Sequence, residues 1–173
     1  KRKKYARNLQ NLINKYLKEL YMDEISLEFS KCEISQNGND EISVKMGATD
    51  FKNFSSGETN RLRLAFIATN IEITNKGAGI LILDESDSNL SGKESMSIAD
   101  VLVKISKFYQ IFAISHQPQL SSKADCHFLV SKIDGKSSAK ILNENEKITE
   151  LARMISGENI TKEALEFAKK LLV

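Results

Sequence analysis

Two adjacent carboxylates, Asp84 and Glu85, stand at the end of the apolar run Gly79-Ile80-Leu81-Ile82-Leu83. An unbroken apolar run that stops on acids reads as a buried parallel strand whose carboxyl end delivers them to a ligand crevice. Side chains alternate along a strand, so Asp84 and Glu85 are expected to aim in different directions and to hold different tasks, one beside a Mg²⁺ and the other beside a water. A strand reaching the surface also finishes on charge for solubility alone, so the pair carries little weight by itself. Two further groups give it company. Ser55, Ser56, Gly57 and Glu58 precede a helical pattern, and His116 closes a second apolar run, Ile111-Phe112-Ala113-Ile114-Ser115.

The serine and glycine stretch has two readings. Ser55 and Glu58 carry the three-residue spacing of a capping box, which needs no ligand. The same place offers unsatisfied N–H groups, the positive end of a helix dipole, two hydroxyls and a glycine that lets backbone approach a phosphate. Arg61 and Arg63 read as surface charges, Arg61 lying one turn into the helix where it could reach a nucleotide.

The elements that must position these groups follow from periodicity. A helix is expected from about 58 to 73 with Leu62, Phe66, Thr69 and Ile73 on one face, and another from about 93 to 108 carrying Met96, Ala99, Leu102, Val103 and Ile105. Strand 79–84, that second helix and strand 110–115 then form one βαβ unit. Its strands are parallel and bring Glu85 and His116 to one edge of the sheet.

Two alternating runs, Ile25-Leu27-Phe29 and Ile42-Val44-Met46, flank Gln36-Asn37-Gly38-Asn39 as a hairpin. A second hairpin is expected from His127-Phe128-Leu129-Val130-Ser131-Lys132-Ile133 across Asp134-Gly135 to Ala139-Lys140-Ile141-Leu142. Two helices, about 146–155 and 162–172, close the chain, with Thr161 as the N-cap of the second. Residues 1–22 begin with Lys1, Arg2, Lys3, Lys4 and Arg7 and continue with Leu9, Leu12, Ile13, Tyr16, Leu17 and Leu20 at helical intervals. The basic cluster reads as a solvated helix end.

Composition bounds the rest. With 173 residues, 41% of them hydrophobic, one domain with a sizeable core is expected. A net charge of +2 gives no bulk affinity for polyanions. Cys32 and Cys126 form no CxxC and neither they nor His116 and His127 show ligand spacing, so free thiols in a reducing, cytoplasmic compartment are expected. No apolar run is long enough to span a membrane.

The order of a Ser/Gly-rich helix start, an apolar strand ending Asp-Glu and a strand ending in His resembles the second half of an ATP-binding-cassette ATPase head. The resemblance narrows through Asp84-Glu85-Ser86-Asp87, Ser91-Gly92, Ser115-His116-Gln117-Pro118-Gln119, Ala124-Asp125-Cys126-His127-Phe128-Leu129-Val130 and Glu150-Leu151-Ala152-Arg153-Met154-Ile155-Ser156-Gly157. From about residue 50 onward the chain resembles the C-terminal head segment of the RecN family, bacterial SMC-like proteins of DNA double-strand-break repair. The implied fold is α/β, the C-terminal lobe of an ABC/SMC-type ATPase head: a parallel βαβ core with flanking β-hairpins and helices over 23–173, and the end of a coiled-coil arm over 1–22.

The resemblance implies ATP and Mg²⁺ as cofactors, with Asp84 holding Mg²⁺, Glu85 orienting the attacking water and His116 sensing the γ-phosphate. Ser55, Ser56, Gly57 and Glu58 belong on this view to the signature surface that closes on ATP held by a second head. It further implies a homodimer formed on ATP, DNA as a partner of the whole protein, no membrane, and a nucleoid-associated place in the bacterial cytoplasm. Ser56 departs from the glycine of the general signature. Ser91 stands where transporter ATPases carry an Asp, which counts against a transporter subunit. No G-x-x-x-x-G-K-[S/T] occurs in the sequence, so nothing cradles the β- and γ-phosphates. The chain is therefore expected to be a fragment, its phosphate loop supplied by the N-terminal half of the same head, and to be inactive alone. A degenerate cassette kept as a non-enzymatic scaffold is the other reading.

Overall fold

A computed structural model of the chain describes residues 2–36, 38–47, 53–74, 79–85, 87 and 90–172, the side chains of Ser35 and Ile133 excepted. Lys1, Asn37 of the first hairpin turn, 50–52 ahead of the serines, and Ser86, Ser88 and Asn89 after the acidic pair fall outside them.

Helix α1, Arg2–Glu19, is amphipathic and buries Ile13, Tyr16 and Leu17, with Leu20 just past its end. It docks on strand β1, Ile25–Ser35, through side-chain amides. Asn14 Oδ1 accepts from Ile25 N at 2.8 Å while Asn14 Nδ2 donates to Ile25 O at 3.0 Å, and Gln10 Oε1 accepts from Leu27 N at 2.9 Å. Strand β2, Gly38–Met46, pairs antiparallel with β1, setting Ile25 opposite Met46, Leu27 opposite Val44 and Phe29 opposite Ile42.

Helix α2, Ser56–Thr74, strand β3, Ile80–Asp84, helix α3, Gly92–Ile105, and strand β4, Gln110–Ile114, follow. β3 and β4 are parallel, in register from Ile80 opposite Gln110 to Asp84 opposite Ile114. A short helix α4, Pro118–Ser122, begins directly after the β4 turn with its proline in the first helical turn, where the missing N–H costs nothing. Strands β5, Phe128–Ile133, and β6, Lys136–Ile141, form an antiparallel hairpin whose turn residues, Asp134 at φ 49° and Gly135 at φ 77°, suit a two-residue connection. Helices α5, Glu144–Ser156, and α6, Lys162–Leu171, are capped by Asn143 and Thr161.

The main core joins α1, α2 and α3, with Leu81, Leu83 and Ile111 packed beneath them from β3 and β4. Ile98 and Leu17 are fully buried there, and truncating either to Ala costs about 2–5 kcal/mol. Leu151, Ala152, Ala164 and Ala168 form a second cluster between α5 and α6.

Three expectations need correcting. Strand β3 is covered on one face only: Leu81 and Leu83 are half-buried, whereas Ile80 and Ile82 are 64% and 71% exposed. The uninterrupted apolar run marks a strand made for cover on both faces, and in this chain α2 and α3 cover one. Helix α2 buries Arg61, Leu64, Ala65, Ala68, Thr69 and Ile71, while Phe66 and Ile73 are exposed. It is apolar nearly all round, so periodicity could not choose its face; small Ala65 and Ala68 let neighbours approach. Arg61 is not a surface charge but is 6% exposed, unlike Arg63.

Candidate functional site

At the carboxyl edge of the parallel pair, Glu85 N donates to Ile114 O at 2.9 Å, extending the ladder one residue beyond Asp84. The backbone then turns sharply, with Glu85 at φ +45°. A non-glycine residue in that region carries strain of about 1–3 kcal/mol, held only where surrounding structure requires it. Glu85 is thus aimed by a left-handed turn rather than by strand alternation, which ends at Asp84. His116 lies two residues beyond Ile114, so the expected meeting of Asp84, Glu85 and His116 at one sheet edge is what the register produces. All three are exposed, and among the described residues their side chains make no hydrogen bond.

Behind this edge lies a part-buried polar chain. Asp87 is fully buried, and its Oδ2 accepts from Ser115 Oγ at 2.5 Å. Ser115 Oγ in turn accepts from Gln117 N at 2.8 Å, closing a small ring around His116. The second oxygen of Asp87, Oδ1, is buried without a hydrogen-bond partner.

The signature-like loop is a helix cap. Ser55 Oγ accepts from Glu58 N at 3.2 Å, and Glu58 Oε2 accepts from Ser55 N at 2.9 Å and from its hydroxyl at 2.8 Å. These bonds, the backbone one foremost, hold the Glu58 carboxyl below the usual carboxylate range. The box uses the amides of Ser55 and Glu58 and leaves those of Ser56 and Gly57, first-turn groups that a helix cannot satisfy internally. The cap therefore does not use up every first-turn amide of this terminus.

A second box of the same design opens α3. Ser91 Oγ accepts from Glu94 N at 3.4 Å and Glu94 Oε2 accepts from Ser91 N at 3.0 Å, which lowers the Glu94 carboxyl in the same way. Arg61 ties α2 to the second cap: its guanidinium NH1 pairs with Glu94 Oε1 at 2.8 Å and donates to Leu20 O at 3.0 Å. One buried side chain thus links the end of α1, the first turns of α2 and the start of α3. The serine-to-glutamate spacing of Ser91 and Glu94 was readable beforehand. Asp87 and Ser115 stand in the motifs quoted above, but their bond to each other spans 28 residues and that of Arg61 to Leu20 spans 41, so no local spacing shows either contact.

The donors at the edge are carboxylate oxygens, and Asp84 is open to solvent with no hydrogen bond occupying it among the described residues. That suits Mg²⁺, which takes one or two protein carboxylates and fills its shell with water and phosphate oxygens. Among the described residues no group of three or more His, Cys, Asp or Glu forms an all-protein metal cage.

Comparison with known proteins bears on what this edge is. Proteins named DNA repair protein RecN are similar over nearly the whole chain. That of Helicobacter pylori strain J99 is 39% identical over 171 residues, 99% of this chain and 33% of the relative. That of Rickettsia typhi is 34% identical over 96% of this chain and 32% of the relative, and that of Halalkalibacterium halodurans 32% identical over 99% and 33%. The resemblance is to RecN. This RecN-like chain spans about a third of the length of the curated relatives it matches. No family model matches.

Among solved structures, an Smc head domain with coiled coil and joint from Pyrococcus yayanosii superposes with a TM-score of 0.67 at 22% identity, covering 89% of this chain and 29% of that one. A chain from the structural biochemistry of ATP-driven dimerization and DNA stimulated activation of SMC ATPases gives 0.63 at 21%, covering 90% and 98%. The RecN-like chain therefore has the fold of an SMC-type head lobe. No helix among the described residues is long and apolar enough to cross a membrane.

Proposed function

We propose that this chain is part of an SMC-like ATPase acting in DNA double-strand-break repair and recombination, and that it supplies the signature loop, the acidic pair and the switch histidine. The observation that carries the reading is the parallel β3–β4 register, which sets Asp84, Glu85 and the Ser115-His116-Gln117 turn on one edge. The strained backbone of Glu85 adds to it, since such strain gathers where a side chain must be aimed.

In this reading Glu85 orients and deprotonates the attacking water, and His116 donates to the γ-phosphate. Asp84 is the residue that would hold Mg²⁺. Bound there, Mg²⁺ would neutralise the charge that develops on the phosphoryl oxygens. Ser55, Ser56, Gly57 and Glu58 present the first-turn amides and hydroxyls of α2 to ATP held by a second copy of the head, which makes the working unit an ATP-dependent homodimer; DNA is contacted by the whole protein. Residues 1–22 are the end of a coiled-coil arm whose last turns enter the core.

The remaining partner is the N-terminal half of the same head, carrying the phosphate loop that residues 1–173 do not contain. Ile80, Ile82, Phe112 and Ile114 on the outer face of β3 and β4 are 47–71% exposed, as apolar surface awaiting a protein partner is. That partner would restore the two-sided cover for which the β3 sequence is built.

The test is phosphate release by the complete protein and its Glu85→Gln variant. Gln keeps the shape but cannot accept a proton, so hydrolysis should slow about 10²-fold or more with ATP binding preserved. Loss of ATP binding with unchanged turnover per bound nucleotide would overturn the assignment.

A further inference from the structure

We propose that Asp87, through Ser115, is a positioning residue for His116, locking the histidine turn to the loop that carries the acidic pair. The proposal rests on the ATPase reading above and concerns a buried carboxylate that the reading leaves without a task.

The geometry supplies the argument. A hydroxyl has one proton, and Ser115 Oγ sits 2.5 Å from Asp87 Oδ2 and 3.5 Å from Gln117 O. The short contact to a carboxylate takes the proton. The Ser115 lone pairs then face Gln117 N, which donates at 2.8 Å. The chain of donors therefore runs one way, from Gln117 N to Ser115 Oγ to Asp87, and His116 is the residue it encircles. Each bond polarises the next, and because Asp87 is fully buried its bond to Ser115 is costly to break.

Both ends of this chain are anchored. Asp87 lies two residues beyond Glu85 and is itself fully buried. Gln117 is the residue before Pro118 and α4, and Pro118 and Leu120 are buried. With Oδ1 lacking a hydrogen-bond partner, Ser115 is the single donor to Asp87 among the described residues. Without Ser115 the buried carboxylate would keep no hydrogen bond among the described residues. Movement of the histidine turn would expose that deficit, so the turn and the acidic loop move together or not at all.

The experiment uses the complete protein and a double-mutant cycle on ATP turnover, with kcat and KM measured separately. Ser115→Ala should lower kcat about tenfold, the scale of one hydrogen bond to a charged group, with KM unchanged within about twofold. Ser115→Thr, which keeps the hydroxyl, should stay within about twofold of wild type. In a His116→Ala background the Ser115→Ala change should have no further effect, because two residues acting as a unit are not additive. An additional tenfold loss there, an unchanged kcat in Ser115→Ala, or a folding defect that Ser115→Thr does not repair would each overturn the proposal. Wild-type kcat in His116→Ala alone would instead overturn the site reading beneath it.

Discussion

Replacing Arg61 with Met probes the buried junction that joins α2 to Leu20 and to the Glu94 cap of α3. Met keeps the length and apolar stem of the side chain and removes the guanidinium. Arg61 is 6% exposed, and NH1 donates to Leu20 O at 3.0 Å. Losing that donor leaves a carbonyl inside the structure, at about 1.5–3 kcal/mol for a charge-assisted bond. The pair with Glu94 adds less, because the Glu94 side chain is 29% exposed and water replaces part of what is lost, so about 0.5–1 kcal/mol is assigned to it. The Nε contact to Gly57 O at 3.4 Å is too long to count. Arg61→Met should therefore destabilise by about 2–4 kcal/mol, Glu94→Gln by at most about 1 kcal/mol since Gln still serves the capping box, and exposed Arg63→Met by less than about 0.5 kcal/mol. Urea denaturation of the complete protein, followed by circular dichroism, compares the three. If Arg61→Met is as mild as Arg63→Met, the buried junction does not exist as described.

Other outcomes follow from single residues. Glu85→Gly should abolish turnover yet melt at or above the wild-type temperature, because glycine removes the strain at φ +45°; a loss of more than about 1 kcal/mol would refute strain at this turn. Burial pushes the His127 imidazole below its ordinary value against the opposing pull of Glu150, so the unfolded chain binds the proton first as pH falls. Stability should then decline from pH 7.5 to 5.5, and His127→Gln should flatten that slope in thermal melts; an unchanged slope contradicts the assignment. Ser91→Ala removes the cap of α3 and should cost about 1 kcal/mol, read from the same melts.

Elements with one dominant periodicity were legible in the sequence. The hairpin over Asp134-Gly135, the parallel β3–α3–β4 unit and the helix capped by Thr161 lie where alternation, length and cap residues place them. Helix α2 resisted because its apolar residues surround it, so burial was decided by which neighbours arrived. The acidic pair and His116 were visible as strand ends. The long-range contacts of the neighbouring elements were not: the Asp87 bond to Ser115 exists only once β4 lies beside β3, and Arg61 reads as surface until Leu20 and Glu94 close over it. Long-range partners leave no local signature.

The central claim, that this chain is half of a head that closes on ATP with a second copy, is tested most directly by sedimentation of the complete Glu85→Gln protein with ATP and Mg²⁺. Binding without hydrolysis should trap the closed state, so dimers should accumulate with ATP and not with ADP. Adding Ser56→Arg, which fills the surface facing the other copy's nucleotide from an exposed position outside the core, should abolish those dimers while ATP binding and the melt stay unchanged. Nucleotide-loaded Glu85→Gln that remains monomeric, or dimers that survive Ser56→Arg, would contradict the account and leave Ser55-Ser56-Gly57-Glu58 as a helix cap alone.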